Sequence, residues 1–214
     1  MNPSSSSFDD ATENFSDWIQ LHARQVAIGV GAIVVLGGGY FLWRSSTANR
    51  ASRAEAALFE AQAPLLQGNL PAAQQQLQQV AQRYDGTPGG AQAQMALAQT
   101  YFEQGKYQDG LNVLKQADDA PKSLANGVKH LTAVGYEGMG RYADAAKLYE
   151  ETARNAASEA ERHQFEADAA RAYQLGGDRT NALRLWTALT KIDGQGVADE
   201  ARVRVGELEA KPAK

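Results

Sequence analysis

Side chains able to do chemistry are few and scattered in this sequence. The 214-residue chain holds three histidines, His22, His130 and His163, and no cysteine. Catalysis needs groups that converge on one reacting atom, and a structural zinc site wants a closed set of about four ligands. The densest local set is Glu159, His163 and Glu166, whose spacing of four and three residues places them on one face of a helix. With no further ligand nearby, that set reads as a solvated surface cluster. The G-x-x-x-x-G-K-[ST] phosphate loop and the G-x-S-x-G nucleophile elbow are both absent. Of the two glycine runs, Gly37 to Gly39 lies inside an apolar stretch, and Gly89 with Gly90 reads as part of a turn between repeats. The expectation is a chain that is not an enzyme and holds neither cofactor nor metal.

Composition narrows the remaining classes. A formal net charge of -4 gives no global attraction to nucleic acid, which wants a basic face. The lack of thiols removes disulfide frameworks and suits reducing and oxidising compartments equally. Six prolines, with alanine, glutamine and glutamate abundant in the second half, point to an all-α protein.

Among the elements that carry these side chains, the most prominent stretch is Val26 to Trp43, VAIGVGAIVVLGGGYFLW, which bears no charge. As a helix it would be about 27 Å long, close to the ~30 Å hydrocarbon thickness of a bilayer. It reads as a single transmembrane anchor. A cleaved signal peptide would want a short basic start and a shorter apolar run. Tyr40 and Trp43 suit an interfacial aromatic belt, and Ala27 with Gly31 forms a small-xxx-small pair compatible with homo-oligomers. Residues 1–25 form a polar, acidic leader in which Phe8, Ala11, Phe15, Trp18, Ile19 and His22 share a helical face. That leader either lies on the membrane surface or is simply solvated. Residues 44–53 form a basic connector. Arg44, Arg50 and Arg53 follow the apolar run and Arg24 alone precedes it, so the positive-inside rule taken literally puts the C-terminal domain in the cytoplasm.

Residues 54–209 carry an internal repeat, followed by a frayed tail at 210–214. GNLPAA at Gly68, GKYQDG at Gly105, GRYADA at Gly140 and GDRTNA at Gly177 recur at intervals of 37, 35 and 37 residues. Four positions before the last three of these glycines stand Tyr101, Tyr136 and Tyr173. Five positions past each glycine stand Ala73, Gly110, Ala145 and Ala182, and nine past it stand Leu77, Leu114, Tyr149 and Trp186. Each unit reads as a helical hairpin whose glycine takes the left-handed conformation that ends the first helix. The small residue marks a close helix crossing, and the large one wedges against the next hairpin. Pro64 stands where the first tyrosine is expected, and Arg179 stands where the earlier units have Tyr107 and Tyr142. Val197, Ala201, Val205 and Leu208 form one stripe of a capping helix.

On these residues the chain resembles the tetratricopeptide family, most closely over Ala91 to Pro121. The resemblance implies an all-α fold: a single transmembrane helix, then an α-solenoid of about four tetratricopeptide-like hairpins and a C-terminal capping helix. It also implies a concave protein-binding face built from the first helix of each pair. Carried over position by position, that face takes Met95, Gln99 and Phe102, then His130, Val134 and Glu137, then Ala167, Arg171 and Gln174. The Lys and Asn set by which some family members clamp a terminal carboxylate is missing. The whole layout is similar to the YfgM-like bacterial inner-membrane proteins. That likeness implies an ancillary partner of the Sec translocon which hands nascent chains to periplasmic chaperones, with the repeats on the periplasmic side of the inner membrane. A self-associating structural scaffold of the envelope or of cell division is the alternative.

Overall fold

The structure, a computed structural model, describes residues 23–117, 120–192 and 196–210, without the side chains of residues 23, 26, 27 and 29–31. The leader with His22, the side chains of the Ala27 and Gly31 pair, and residues 211–214 of the tail therefore lie outside the described residues. Two compact units divide between Asn49 and Arg50.

The described residues are helical, with no strand among them. In chain order the helices are α1 (Ala23–Leu66), α2 (Leu70–Arg83), α3 (Pro88–Glu103), α4 (Tyr107–Leu114), α5 (Lys122–Gly138), α6 (Tyr142–Arg154), α7 (Glu159–Leu175), α8 (Arg179–Leu189) and α9 (Val197–Ala210). A 3₁₀ turn, Lys115–Ala117, extends α4. From Arg50 onward they form four hairpins: the end of α1 with α2, α3 with α4, α5 with α6, and α7 with α8. Helix α9 then packs on α8 and α7.

Four turns of one design make these hairpins. Gly68, Gly105, Gly140 and Gly177 have φ between 69° and 79°, the left-handed region that side chains with a Cβ disfavour. The residue after each glycine donates its N–H back to the carbonyl five residues earlier: Asn69 to Pro64, Lys106 to Tyr101, Arg141 to Tyr136 and Asp178 to Tyr173, at 2.8 to 2.9 Å. This is the Schellman closure of a helix C-terminus. Pro64 fits the first turn because proline lacks a donor and keeps its carbonyl acceptor. The same donating residues, Asn69, Lys106, Arg141 and Asp178, are the N-caps of the following helices. Asn69 and Asp178 also accept side-chain capping bonds, from the amides of Ala72 and Asn181.

The expected packing roles are met. Ala73, Ala145 and Ala182 are fully buried, as are Leu77, Leu114, Tyr149 and Trp186 to within 2 %. Glycines on α5 open space for hairpin 2: a Cβ at Gly138 would meet the Tyr107 ring, and one at Gly135 would meet Leu111 and Phe102. The Cβ of Tyr142 lies close to Gly176, 3.0 Å from where a Cβ there would stand. The stripe on α9 faces the core, with Ala201 and Leu208 buried and Val197 and Val205 packed against them.

Two expectations change. Gly89 and Gly90 are not an inter-repeat turn: they form the first turn of α3, which Thr87 caps by accepting from the Gly90 N–H at 3.1 Å. A Cβ at Gly89 would collide with the Ala54 backbone of α1, and one at Gly90 with the Tyr84 carbonyl, so the pair permits close approach. The expected spanning helix is also not found as such. Among the described residues no helix is long and apolar enough to cross a membrane. The stretch belongs instead to one uninterrupted helix, α1, which carries on through the expected connector at 44–53. Nothing between Arg44 and Ala63 can break a helix, and Pro64 falls in its last turn.

Candidate functional site

The face formed by the first helices of the hairpins comprises α3, α5 and α7, with α9 beside α7. On α3, Met95 is half-buried and lies over Gly127 of α5, Gln99 is exposed, and Phe102 is buried. The Phe102 ring fills the space left by the missing side chains of Gly110 and Gly135. It packs the hairpin core with Leu114 and Leu131, so of the three expected positions on α3 only Gln99 is openly presented. Ala167 of α7 is likewise fully buried, and Val134 packs between neighbouring core clusters.

The polar members are brought together further along. His130 on α5 sits between two rings, Tyr149 of α6 at 5.6 Å and Phe165 of α7 at 5.7 Å. Its Nε2 is 3.7 Å from Asp168 Oδ2. The other Asp168 oxygen accepts from Arg171 Nη1 at 2.5 Å. Arg171 reaches across to α9, where its Nε and Nη2 donate to the two carboxylate oxygens of Glu200 at 2.9 and 2.6 Å. A fork-to-fork pair of this kind is among the stronger charged contacts. Arg204 closes the line, its Nε 3.5 Å from Glu200 Oε1. Hydrogen bonding to Arg171 holds the Glu200 carboxyl below its usual range.

Glu137 behaves in the opposite way. Burial raises its pKa despite a bond from Tyr149, whose O–H donates to Glu137 Oε2 at 3.4 Å; the Asp168 charge adds to the rise. The Tyr149 phenol is itself pushed up by burial and by Glu137. Gln174 accepts from Trp186 Nε1 at 3.3 Å. The expected residues His130, Glu137, Arg171 and Gln174 thus belong to one polar surface running from α5 to α9. Asp168, Glu200, Arg204 and Tyr149 complete it; sequence reasoning missed the first three and read Tyr149 only as a packing residue. The i, i+3 spacing of Asp168 and Arg171 was a readable signal; the partnership with Glu200, 29 residues on, was not.

The Glu159, His163 and Glu166 set is organised by Arg162, which pairs with Glu159 at 2.5 Å and with Glu166 at 3.2 Å. His163 Nε2 is 3.7 Å from Glu159. Among the described residues no group of three or more His, Asp or Glu could hold a metal ion. Among the described residues, depressions lie elsewhere. One of about 700 Å³ is walled by α1 and α2, with Gln76, Gln79 and Gln82 on its α2 side. Two of about 440 and 250 Å³ lie on the second-helix side of hairpins 2 and 3.

Glycine-closed hairpins stacked in register, with a polar first-helix face and a closing helix, define an α-solenoid of helix-turn-helix repeats. The chain belongs to the family of tetratricopeptide repeat-like domains, whose family model matches residues 16–134. Among solved structures it is similar to the crystal structure of nearly identical TPR-like repeats from a Podosopora anserina protein described as a kinesin light chain. That match has a TM-score of 0.60 at 21 % identity, over 74 % of this chain and 86 % of that one. A single-residue variant of the same repeats matches with a TM-score of 0.59 at 22 % identity, over 74 % and 85 %. No curated protein matches the chain. At this identity the structural likeness speaks for the fold, and the repeats are of the kind that mediates protein–protein contact.

Proposed function

We propose that the chain is a protein-binding module tethered to a membrane through residues 26–43. The tether rests on one observation: Ile33, Val34, Val35 and Leu36 are consecutive on α1 and each is 66 to 73 % exposed, as are Phe41, Leu42 and Trp43 at 65 to 70 %. Consecutive helical residues point in all directions, so no single partner helix covers them, whereas a lipid environment surrounds them all. Transfer of such side chains out of water is worth about 1.5 to 3 kcal/mol each. The bound partners meet the first-helix face at Gln99, His130, Glu137, Arg171 and Gln174.

On the resemblance to the YfgM-like proteins, the partners are Sec translocon components, periplasmic chaperones or nascent chains, and the repeats lie on the periplasmic side of a bacterial inner membrane. Arg50 bears on that placement. Its Nη2 donates to the carbonyls of Arg83 at 3.3 Å and Asp85 at 3.1 Å, so this arginine has a structural reason to follow the apolar run whichever side the domain occupies.

Photo-crosslinking in intact bacterial cells from a reactive residue at Gln99 tests the reading. Recovery of translocon components or nascent chains supports it. Recovery of the protein itself alone favours the self-associating scaffold. An alkaline phosphatase fused after Lys214 should be active, and an inactive fusion beside an active cytoplasmic reporter rejects the periplasmic side.

A further inference from the structure

Two neighbouring grooves on the second-helix side are built from equivalent positions of the repeat, and one of them shows what the other lacks. The positions are ten past the glycine of the earlier hairpin, and four before and seven past the glycine of the later one. Between hairpins 3 and 4 they are Glu150, Tyr173 and Arg184. Burial and the neighbouring Glu150 carboxylate raise the pKa of the Tyr173 phenol, and Arg184 Nη2 donates to Glu150 Oε1 at 2.8 Å. One carboxylate therefore ties the two hairpins together.

Between hairpins 2 and 3 the same positions hold Lys115, Tyr136 and Lys147. Two ammonium groups cannot pair, and neither lysine forms an ion pair among the described residues. The groove stands open as a depression of about 250 Å³ between the two hairpins, continuous with one of about 440 Å³ on hairpin 3 through the shared residues Thr132, Tyr136 and Arg141. Lys147 lines the larger and Lys115 the smaller. Arg141, at the position where hairpin 4 has Asp178, lies over the Tyr136 ring, its Cζ 4.3 Å from the centroid. The acids of the same wall are already committed, Asp144 to Arg141 at 2.8 Å and Glu151 to Lys129 at 2.6 Å.

We propose that this groove docks an acidic segment of a partner protein, one carboxylate of which takes, between Lys115 and Lys147, the place that Glu150 holds in the adjoining groove. The formal net charge of the chain is -4, so attraction of an acidic peptide is local to this groove and does not follow from overall charge. The site is separate from the first-helix face and from the anchor, and the failure of either of those readings leaves it standing.

The test uses the full-length protein in neutral detergent and a fluorescein-labelled peptide of alternating Glu and Ala, followed by anisotropy at low salt. The same peptide with Gln for Glu should bind at least about tenfold more weakly, since charged hydrogen bonds are worth ~1.5 to 3 kcal/mol and tenfold is 1.4 kcal/mol. Lys147→Gln should weaken the Glu peptide by a similar factor. Lys115→Glu should recreate the closed groove in cis, abolishing binding and raising the melting temperature, whereas Lys115→Gln weakens binding with no such rise. Equal binding of the two peptides, no binding of either, or undiminished binding by Lys115→Glu overturns the proposal. So does binding to phosphatidylglycerol vesicles that the Glu peptide fails to compete away.

Discussion

Gln174 and Trp186 hold each other across the fourth hairpin, the indole N–H donating to the amide oxygen at 3.3 Å. They stand three before and nine past the central glycine, and the same two positions are associated in every hairpin: Leu65 and Leu77 belong to one apolar cluster, Phe102 and Leu114 to another, and Tyr149 donates to Glu137. Where the wedge residue is apolar its partner is apolar, and where the wedge carries a donor its partner carries an acceptor. Trp186→Phe keeps most of the buried area and leaves the Gln174 amide without its donor. It should cost about 1 to 2 kcal/mol by urea denaturation. Adding Gln174→Leu, which restores the apolar pairing of hairpin 1, should recover much of that loss, giving a coupling energy that a double-mutant cycle reads directly.

Glu137 is the one charged member of this set of pairs, and its carboxyl is held above the usual value by burial and by Asp168. A folded-state pKa above the unfolded one means that stability is full below the ordinary glutamate value and declines as pH rises through the folded value. Glu137→Gln keeps an acceptor for Tyr149 and removes the charge, as hairpin 4 does with Gln174. At pH 7 to 8 it should stabilise the protein by up to about 1 kcal/mol, discounted for its partial exposure. The gain should vanish below about pH 4, where wild-type Glu137 is neutral in both states. Urea midpoints across pH measure this.

The Arg171 and Glu200 pair has the opposite sign. Hydrogen bonding to Arg171 depresses the Glu200 pKa, so its contribution is present above the ordinary glutamate value and lost as pH falls through the folded one. With both side chains about one-third exposed, Glu200→Gln should cost about 1 kcal/mol at pH 7 and much less in acid. Hydrogen exchange should place the loss in α9, with hairpins 1 and 2 unaffected.

Glycines of this chain divide by backbone, and two alanine substitutions separate the classes. Gly105 has φ +71° and nothing within 4 Å of a built Cβ, so Gly105→Ala bears only the cost of the left-handed conformation, about 1 kcal/mol or somewhat more. Gly206, inside α9 and also unobstructed, has no such requirement. Gly206→Ala should stabilise by up to about 1 kcal/mol through helix propensity. Thermal melts of the two variants should therefore move in opposite directions.

Legibility in the sequence tracks the range of the interaction. The turns at Gly68, Gly105, Gly140 and Gly177 could be read because a left-handed residue almost requires glycine, and Leu77, Leu114, Tyr149 and Trp186 because their size recurs at fixed distance from it. Phe102, read as part of the binding face, proved to be core, since the room for its ring is made by Gly110 and Gly135, which come from other helices. The run from His130 through Asp168 and Arg171 to Glu200 joins three helices, and no local spacing announces such a contact. Helix α1 ran past its expected segments because hydropathy marks where composition changes, while a helix stops only where its backbone is interrupted.

Tyr107 fits against Gly138 of the following hairpin and Tyr142 against Gly176 of the one after. These contacts give the array a direction, hairpins 2 and 3 each placing a tyrosine against a glycine of the next. At the corresponding position hairpin 4 carries Arg179, whose Nε is buried without a hydrogen-bond partner, and its successor in the chain is α9 instead of another hairpin. Duplicating hairpin 2 or 3 would therefore carry the tyrosine with it, whereas a hairpin appended behind Arg179 would have to stack without one, as hairpin 2 does behind Leu70 of hairpin 1.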